Sequence, residues 1–171
     1  MPLRPSQDRL AVLQAEAQRR CGVPGGQRAP AGADLVYLPR AVRPGTDEAF
    51  ALVIPEVSAA AMQAFLDGFA ATLPEKVHAA LLLDGAGWHI AQDITVPANV
   101  SLVFLPPYAP KLNPVERLWL FLRERFLSLR LFADLEAIIA GCCDAWNRLA
   151  AEPGRTASLT DYPYLRSVRI S

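Results

Sequence analysis

The alternation of apolar and polar positions divides the chain into short strands and amphipathic helices. Two β-rich runs, "DLVYLPRAV" and "AFALVIPEV", flank the turn signal "RPGTDE", which predicts a β-hairpin. The segment "SAAAMQAFLDGFAATL" repeats apolar residues at helical spacing, and Ser58 is a natural N-cap for it. The apolar stripe of this predicted helix comprises Met62, Phe65, Leu66 and Phe69.

The second half of the chain continues this pattern with two strands and two helices. "VHAALLLDGAG" and "VSLVFLPPYAP" are almost unbroken apolar runs, which is typical of strands buried on both faces. One helix is predicted from Pro114 and a last one from about Asp134 to Ala150. Glu116 lies on the edge of the apolar stripe of the first of these helices, which comprises Val115, Leu118, Trp119, Leu122, Phe126 and Leu129. Residues 1–40 show only a short helix-like patch around Leu10–Arg19. The order β-β-α-β-β-α-α therefore predicts an α/β fold with a mixed sheet flanked by helices.

The composition indicates a folded globular protein, since 52% of the residues are hydrophobic and 20% are charged. Apolar runs of membrane-spanning length and a signal-peptide pattern are both lacking, so we expect a soluble protein of the cytoplasm. The cysteines Cys21, Cys142 and Cys143 lack metal-type spacing, and the adjacent pair cannot easily form a disulfide. We expect them to be reduced thiols, with Cys142 and Cys143 packing within a helix.

The net charge is zero, but 15 of the 17 basic residues are arginine, which suits bidentate contact with phosphate. Residues 1–45 and 106–171 carry more basic than acidic residues, whereas residues 46–105 are acidic. The overall balance is weaker than that of a free-standing nucleic-acid-binding domain. Charge therefore does not decide the function.

Asp84 ends a predicted strand and precedes "GAGWH", in which two glycines allow a sharp turn. In open α/β sheets, ligands bind beyond the carboxyl ends of the strands, which is where this aspartate would lie. An aspartate before a glycine also commonly caps a turn. Both roles remain open on this pattern.

Glu116 lies on the first turn of the helix that follows the proline-rich "LPPYAPKLNP". Asn113 as N-cap, Pro114 as first helical residue and Glu116 three positions after the cap predict a capping box. The rigid lead-in also favours a fixed metal ligand. One strand and one loop separate Asp84 from Glu116, so both can converge on one edge of the sheet, where carboxylates bind Mg²⁺.

These two segments, "LLLDGAGWH" and "LVFLPPYAPKLNPVERLW", resemble the catalytic core of DDE transposases, in the bacterial insertion-sequence group related to mariner elements. The resemblance implies a ribonuclease H-like fold, dependence on Mg²⁺ or Mn²⁺, and cutting and joining of DNA strands at element ends. It also implies that Asp84 and Glu116 are the second and third metal-binding carboxylates, and that residues 41–171 form the catalytic core.

In that family, the first aspartate lies on the opening strand, within a "QDE" sequence and ahead of a "GQRP"-like loop. "SQDRLAV" contains Asp8, and "GGQRAP" follows at residues 25–30, so the resemblance makes Asp8 the expected first carboxylate. Arg9 replaces the acidic residue of the pattern. Residues 1–40 would then be an N-terminal segment holding a remnant of the first strand and loop.

Further residues could contact DNA or support the carboxylates. His89 could position a phosphate or be a packed turn histidine, and Asn113 could support Glu116. Lys111, Arg117 and Arg123 could contact phosphates or form a solvated face. The expected partners are double-stranded DNA and either a second copy or a separately encoded helix-turn-helix protein. An inactive transposase remnant that at most binds DNA or protein is the alternative.

Overall fold

The computed structural model describes residues 9–16, 20–21, 36–83, 94–105 and 113–163, the first two ranges for their backbone alone. Its strands are β1 (Arg9–Glu16), β2 (Arg20–Cys21), β3 (Val36–Tyr37), β4 (Arg40–Val42), β5 (Ala49–Ala51), β6 (Val77–Leu83) and β7 (Val100–Phe104). Its helices are α1 (Ala59–Thr72), α2 (Val115–Leu122), α3 (Leu135–Ala150) and α4 (Arg155–Thr160), with a π-helical turn, Arg123–Leu127, directly after α2. The predicted α/β fold, a mixed sheet flanked by helices, is confirmed.

The central sheet has five strands in the order β5-β4-β1-β6-β7, and β2 pairs with β3 separately. β1 runs parallel to β6, from Arg9 opposite Val77 to Ala15 opposite Leu83. β7 is also parallel to β6, whereas β4 runs antiparallel to both β1 and β5. β1 is therefore in the middle of the sheet, with a hydrogen-bonded neighbour on each side.

Residues 10–16 of the predicted helix-like patch belong to β1, so that prediction is wrong for them. The segment "RLAVLQAE" contains mostly residues that favour helices, so its local preference is for a helix. Pairing with β4 and β6 satisfies the backbone polar groups from both sides, and such tertiary context overrides local propensity.

The predicted hairpin is confirmed by the antiparallel pairing of β4 with β5. The Arg43 N–H donates to the Glu48 carbonyl at 2.9 Å, which closes the connection between the strands. Gly45 has a φ of +72°, a left-handed conformation that glycine adopts without steric cost.

This hairpin connection also holds the start of α4. The Asp47 carboxylate accepts from the N–H groups of Gly154, at 2.6 Å, and Ala157, at 3.0 Å. The Gly45 N–H donates to Thr160 Oγ1 at 3.1 Å. The first N–H groups of a helix have no acceptor within the helix, so Asp47 supplies the cap from another part of the chain.

Helix α1 covers one face of the sheet. The Ser58 hydroxyl accepts from the Ala61 N–H at 3.1 Å, which confirms the predicted N-cap. The predicted apolar stripe of α1 is buried, as four residues of the helix are almost inaccessible to solvent. Beneath them lie the strand residues Ala41, Ala79, Leu81, Leu83 and Val100.

Helices α2 and α3 cover the other face of the sheet, together with Val36, Leu38 and Val42. The predicted apolar stripe of α2 is confirmed over Val115, Leu118, Trp119, Leu122 and Phe126, which are buried.

Leu129 was predicted on the same stripe and is 95% exposed, so this part of the prediction is wrong. The π-helical turn carries one extra residue per turn and ends at Leu127. Leu129 then adopts a φ of +62°, outside the helix.

Burial on both faces was predicted for the two apolar strands, and it is wrong for both. In β6, fully buried positions alternate with half-buried ones. In β7, which is an edge strand, Val103 is 44% and Phe104 54% exposed. Apolar content alone does not show which strand lies at an edge.

Cys142 packs in the core as expected, whereas Cys143 is exposed on α3, so its predicted packing role is wrong. Among the described residues, no helix has the length and apolar character needed to cross a bilayer.

We expect the stability conferred by Asp47 to depend on pH. The hydrogen bonds from the Ala157 and Gly154 N–H groups lower the pKa of its carboxyl. A carboxyl with a lowered pKa in the folded state stabilises the fold above its unfolded pKa of about 3.9, and this stabilisation is lost as the pH falls through the folded pKa. Urea unfolding of wild type and Asp47→Asn from pH 7 to pH 3 should show a difference that shrinks below about pH 4.

Glu48→Gln is the matched control, because Glu48 is on the same hairpin connection and its carboxylate accepts from the exposed Arg43 side chain. A constant difference between wild type and Asp47→Asn at all pH values would contradict the role assigned to the Asp47 carboxylate.

Candidate active site at the carboxyl edge of the sheet

The strands β1 and β6 end at the same edge of the sheet because they run parallel. Ala15 is opposite Leu83, so Glu16 is the β1 residue beside the end of β6. β4 runs antiparallel to β1 and begins at this edge, with Arg40 opposite Glu16. We call this edge, marked by Glu16, Leu83 and Arg40, the carboxyl edge.

Asp84 follows Leu83 directly in the chain and lies outside the described residues. Its position in the chain is nevertheless informative, since consecutive Cα atoms are about 3.8 Å apart. The residue after Leu83 is therefore attached to the carboxyl edge. β7 also ends here, as the Leu105 N–H donates to the Leu83 carbonyl at 2.7 Å.

Helix α2 meets the carboxyl edge through Arg40, whose side chain is 0% exposed. Its guanidinium donates to the Leu38 carbonyl at 3.0 Å and to the Val115 carbonyl at 3.4 Å. It also lies 5.5 Å from the centre of the Trp119 ring. Val115 and Trp119 are one turn apart on α2, so one buried cation contacts the whole first turn of this helix.

Glu116 is bonded to Val115 and is half-buried. Arg40 pairs with Glu16 in the sheet and donates a hydrogen bond to the Val115 carbonyl. These two contacts therefore place the first turn of α2, with Glu116, at the carboxyl edge. The half-buried state agrees with the predicted position at the border of the apolar stripe.

The start of α2 is capped by Asn113, which is 2% exposed. Its Oδ1 accepts from the Val115 N–H at 3.2 Å, and its carbonyl accepts from the Glu116 N–H at 3.2 Å. Asn113 therefore caps the start of α2, but its side chain accepts from the Val115 N–H and not from the Glu116 N–H that the predicted capping box requires. Within the described part of the chain, the buried Nδ2 of Asn113 has no acceptor.

Asp8, the expected first carboxylate, lies outside the described residues, but its chain neighbour Arg9 is described. Arg9 pairs with Val77, the first residue of β6. Val77 and Leu83 are six residues apart along an extended strand, a separation of about 20 Å. The start of β1 is therefore at the opposite edge from Leu83, and the role of Asp8 as first carboxylate stays a prediction.

The acidic residue of β1 at the carboxyl edge is Glu16, which the sequence interpretation did not select. The available signal was the end of "RLAVLQAE", where an acidic residue closes an apolar run. Arg40 was also missed, although it interrupts the apolar run "YLPRAV". Neither position could be linked to Glu116 without the register of the sheet.

Among the other predicted site residues, His89 and Lys111 lie outside the described residues. Arg117 is exposed and lies 5.3 Å from the centre of the Tyr162 ring. Arg123 is exposed beside Glu124, with 4.0 Å between Nη2 and Oε1. DNA contact by these residues stays a prediction.

The donors suggested for a metal are carboxylate oxygens, which suit Mg²⁺ or Mn²⁺ better than softer ions. The described residues by themselves contain no group of three His, Cys, Asp or Glu side chains that could hold an ion. A complete site would therefore need Asp84 in addition to Glu116.

The sequence model of the DDE superfamily endonucleases matches residues 7–139, well over half of the chain. The chain belongs to this family. The match begins before β1, so it includes the central strand as well as the segments around Asp84 and Glu116. The resemblance predicted from those segments is confirmed.

Two relatives extend this comparison. An uncharacterized protein of Sinorhizobium fredii (strain NBRC 101917 / NGR234), y4pE/y4sA, is 42% identical over 123 residues, which cover 72% of this chain and 91% of that protein. A chain in the crystal structure of the Mos1 strand transfer complex matches with a TM-score of 0.53 at 16% identity, over 89% of this chain. This structural match confirms the ribonuclease H-like fold, and the chain spans 55% of that protein's length.

At the carboxyl edge, β1 ends in Gln14-Ala15-Glu16, so Ala15 offers no ligand atom there. Position 15 belongs to the face of the sheet that carries α1, since it pairs with Ala41 and Leu83, whose side chains pack there. Position 16 belongs to the face that carries α2.

We expect Asn113→Ala to lower the free energy of unfolding by about 1–3 kcal/mol, because it leaves the buried Val115 N–H without its acceptor. The control is Asp134→Ala, since Asp134 caps α3 in the same way at an exposed position. Water can replace that cap, so the expected loss is about 1 kcal/mol or less. Equal losses in urea titrations of the two variants would contradict the importance of burial at Asn113.

Proposed function

We propose that this protein is the catalytic domain of a DDE-type transposase that cleaves and joins DNA strands at the ends of an insertion sequence. The observation that carries the proposal is the docking of the first turn of α2, with Glu116, on the edge where β1 and β6 end. Asp84 directly follows β6, so two of the expected carboxylates are attached to one edge.

Metal binding at this edge would use Asp84 and Glu116, together with Glu16. In sequence, Asp84 follows Leu83 and Glu16 follows Ala15, the residue that pairs with Leu83, so both acidic residues adjoin the last pair of the β1–β6 register. When bound, Mg²⁺ or Mn²⁺ would activate water and stabilise the leaving oxygen of a phosphodiester.

The reaction is phosphoryl transfer in two steps. Water attacks a phosphorus atom at the element end, a P–O bond forms and another breaks, and a free 3′-hydroxyl remains. That hydroxyl then attacks a phosphodiester of the target strand: the new P–O bond joins the two DNA strands, and the P–O bond that breaks releases a 3′-hydroxyl of the target strand. The carboxylates hold and orient the reacting groups in both steps.

DNA binding would involve residues around this edge. His89 and Lys111 lie in the segments that adjoin Asp84 and Asn113, and Arg117 and Arg123 are exposed on α2 and the π-helical turn. Basic side chains at these positions suit contacts with phosphate groups. Recognition of the element ends would come from a second copy of the chain or from a separately encoded helix-turn-helix protein.

An inactive domain that binds DNA or protein is the second candidate function. Two observations favour it: Arg9 replaces the acidic residue that follows the aspartate in the family's pattern, and Ala15, which precedes Glu16 at the carboxyl edge, has no ligand atom.

The two functions differ in Mn²⁺ binding and in Mn²⁺-dependent nicking of a supercoiled plasmid. Wild type should bind Mn²⁺ in titration calorimetry. Changing a residue that only orients a metal ligand typically lowers metal affinity by about 10- to 100-fold. Asp84→Asn and Glu116→Gln remove ligands themselves, so each should lower the Mn²⁺ affinity by more than this. Their melting temperatures should stay close to that of wild type. Wild-type protein that binds duplex DNA but neither binds Mn²⁺ nor nicks the plasmid would establish the inactive domain.

The same titration separates Glu16 from Asp8. Glu16→Gln should weaken Mn²⁺ binding, whereas Asp8→Asn should leave it unchanged, because the start of β1 is about 20 Å from the carboxyl edge. The reverse result would restore Asp8 as the first carboxylate and show that the strand register differs from the one described.

A further inference from the structure

Arg40 is the one charged residue among the fully buried side chains of the described part of the chain. Placing a guanidinium in a largely apolar cluster has a desolvation cost. Apolar side chains of similar volume often serve such positions equally well or better. Stability of the sheet therefore does not by itself require an arginine here.

The contacts of Arg40 join two elements that are distant in sequence. Its guanidinium bonds to the Leu38 carbonyl, just before β4, and to the Val115 carbonyl, 75 positions further along the chain. The flat guanidinium presents several N–H donors in fixed directions, so it can serve two carbonyls from one position. Lysine has the same charge but lacks this fixed fork.

These contacts lie between the acidic positions of the carboxyl edge. Arg40 is opposite Glu16 in the sheet, and the carbonyl that it binds in α2 belongs to the residue before Glu116. A change at Arg40 would therefore loosen α2 where Glu116 is attached, while the apolar contacts further along α2 would remain.

We propose that Arg40 is a positioning residue that fixes the first turn of α2 against the carboxyl edge and thereby places Glu116 beside position 16 and the end of β6. The value of this placement for metal binding rests on the proposed function. The other part of the proposal, that Arg40 immobilises the first turn of α2, does not rest on the proposed function, and we call it the mechanical part.

The mechanical part is tested by hydrogen exchange followed by mass spectrometry. In Arg40→Met, the amides of residues 115–118 should exchange at least tenfold faster than in wild type, whereas those of α3 should change less than twofold. The matched control is Arg43→Met, because Arg43 is on the same hairpin but pairs with Glu48 at the surface. Equal acceleration in α2 and α3, or no acceleration in α2, would overturn the proposal.

The placement of Glu116 is tested with Arg40→Lys, which keeps the charge and removes the fork. Mn²⁺ affinity should fall at least tenfold in this variant while the melting temperature stays near that of wild type. An Arg40→Lys variant whose Mn²⁺ affinity and whose amide exchange at residues 115–118 both equal those of wild type would overturn the proposal. If wild type binds no Mn²⁺, the proposed function fails, and the hydrogen-exchange experiment alone decides the role of Arg40. If Arg40→Met does not fold, Arg40→Lys replaces it in the exchange experiment.

Discussion

The parallel pairing of β1 with β6 is the constraint on which the arrangement of the site depends. Parallel neighbours end at the same edge, so this pairing brings Glu16 beside Leu83 and the chain position of Asp84. β4 pairs antiparallel with the other side of β1, so its first residue, Arg40, lies at the same edge. If β1 were displaced, neither β4 nor β6 would keep its pairing with β1, and the relative positions of Glu16, Arg40 and Leu83 would no longer be fixed.

The second constraint is the attachment of α2 to that edge. The apolar contacts of Val115, Leu118, Trp119 and Leu122 with the sheet supply most of the stabilisation, at about 1.5–3 kcal/mol for each fully buried side chain. Such contacts are not directional, and they tolerate small shifts along the helix axis. The hydrogen bonds of Arg40 and Asn113 are directional, so they determine where the first turn begins.

The family and the activity have different support in this protein. Membership of the DDE superfamily endonucleases and the ribonuclease H-like fold follow from the comparisons. The proposed chemistry of the carboxyl edge depends on individual side chains, above all Glu116, and on Arg40, which holds the first turn of α2. A family fold can keep its sheet and lose or alter its ligands, because the core and the site use different residues.

The sequence by itself determined α1, α2 and α3, the hairpin and the segments around Asp84 and Glu116, but not α4 or the π-helical turn. Ser58, Asn113 and Asp134 signal helix starts through local hydrogen bonds, and amphipathic periodicity reports a buried face; both are properties of neighbouring residues. These features do not need knowledge of distant contacts.

Only the tertiary structure decided the identity of β1, the edge position of β7 and which acidic residue of β1 lies at the carboxyl edge. The local preference of "RLAVLQAE" is for a helix, and its strand pairing comes from β4 and β6, which lie further along the chain. The same pairing separates the neighbourhoods of Asp8 and Glu16 by the length of a strand. Strand order and register are contacts between distant residues, and a local pattern contains no record of them.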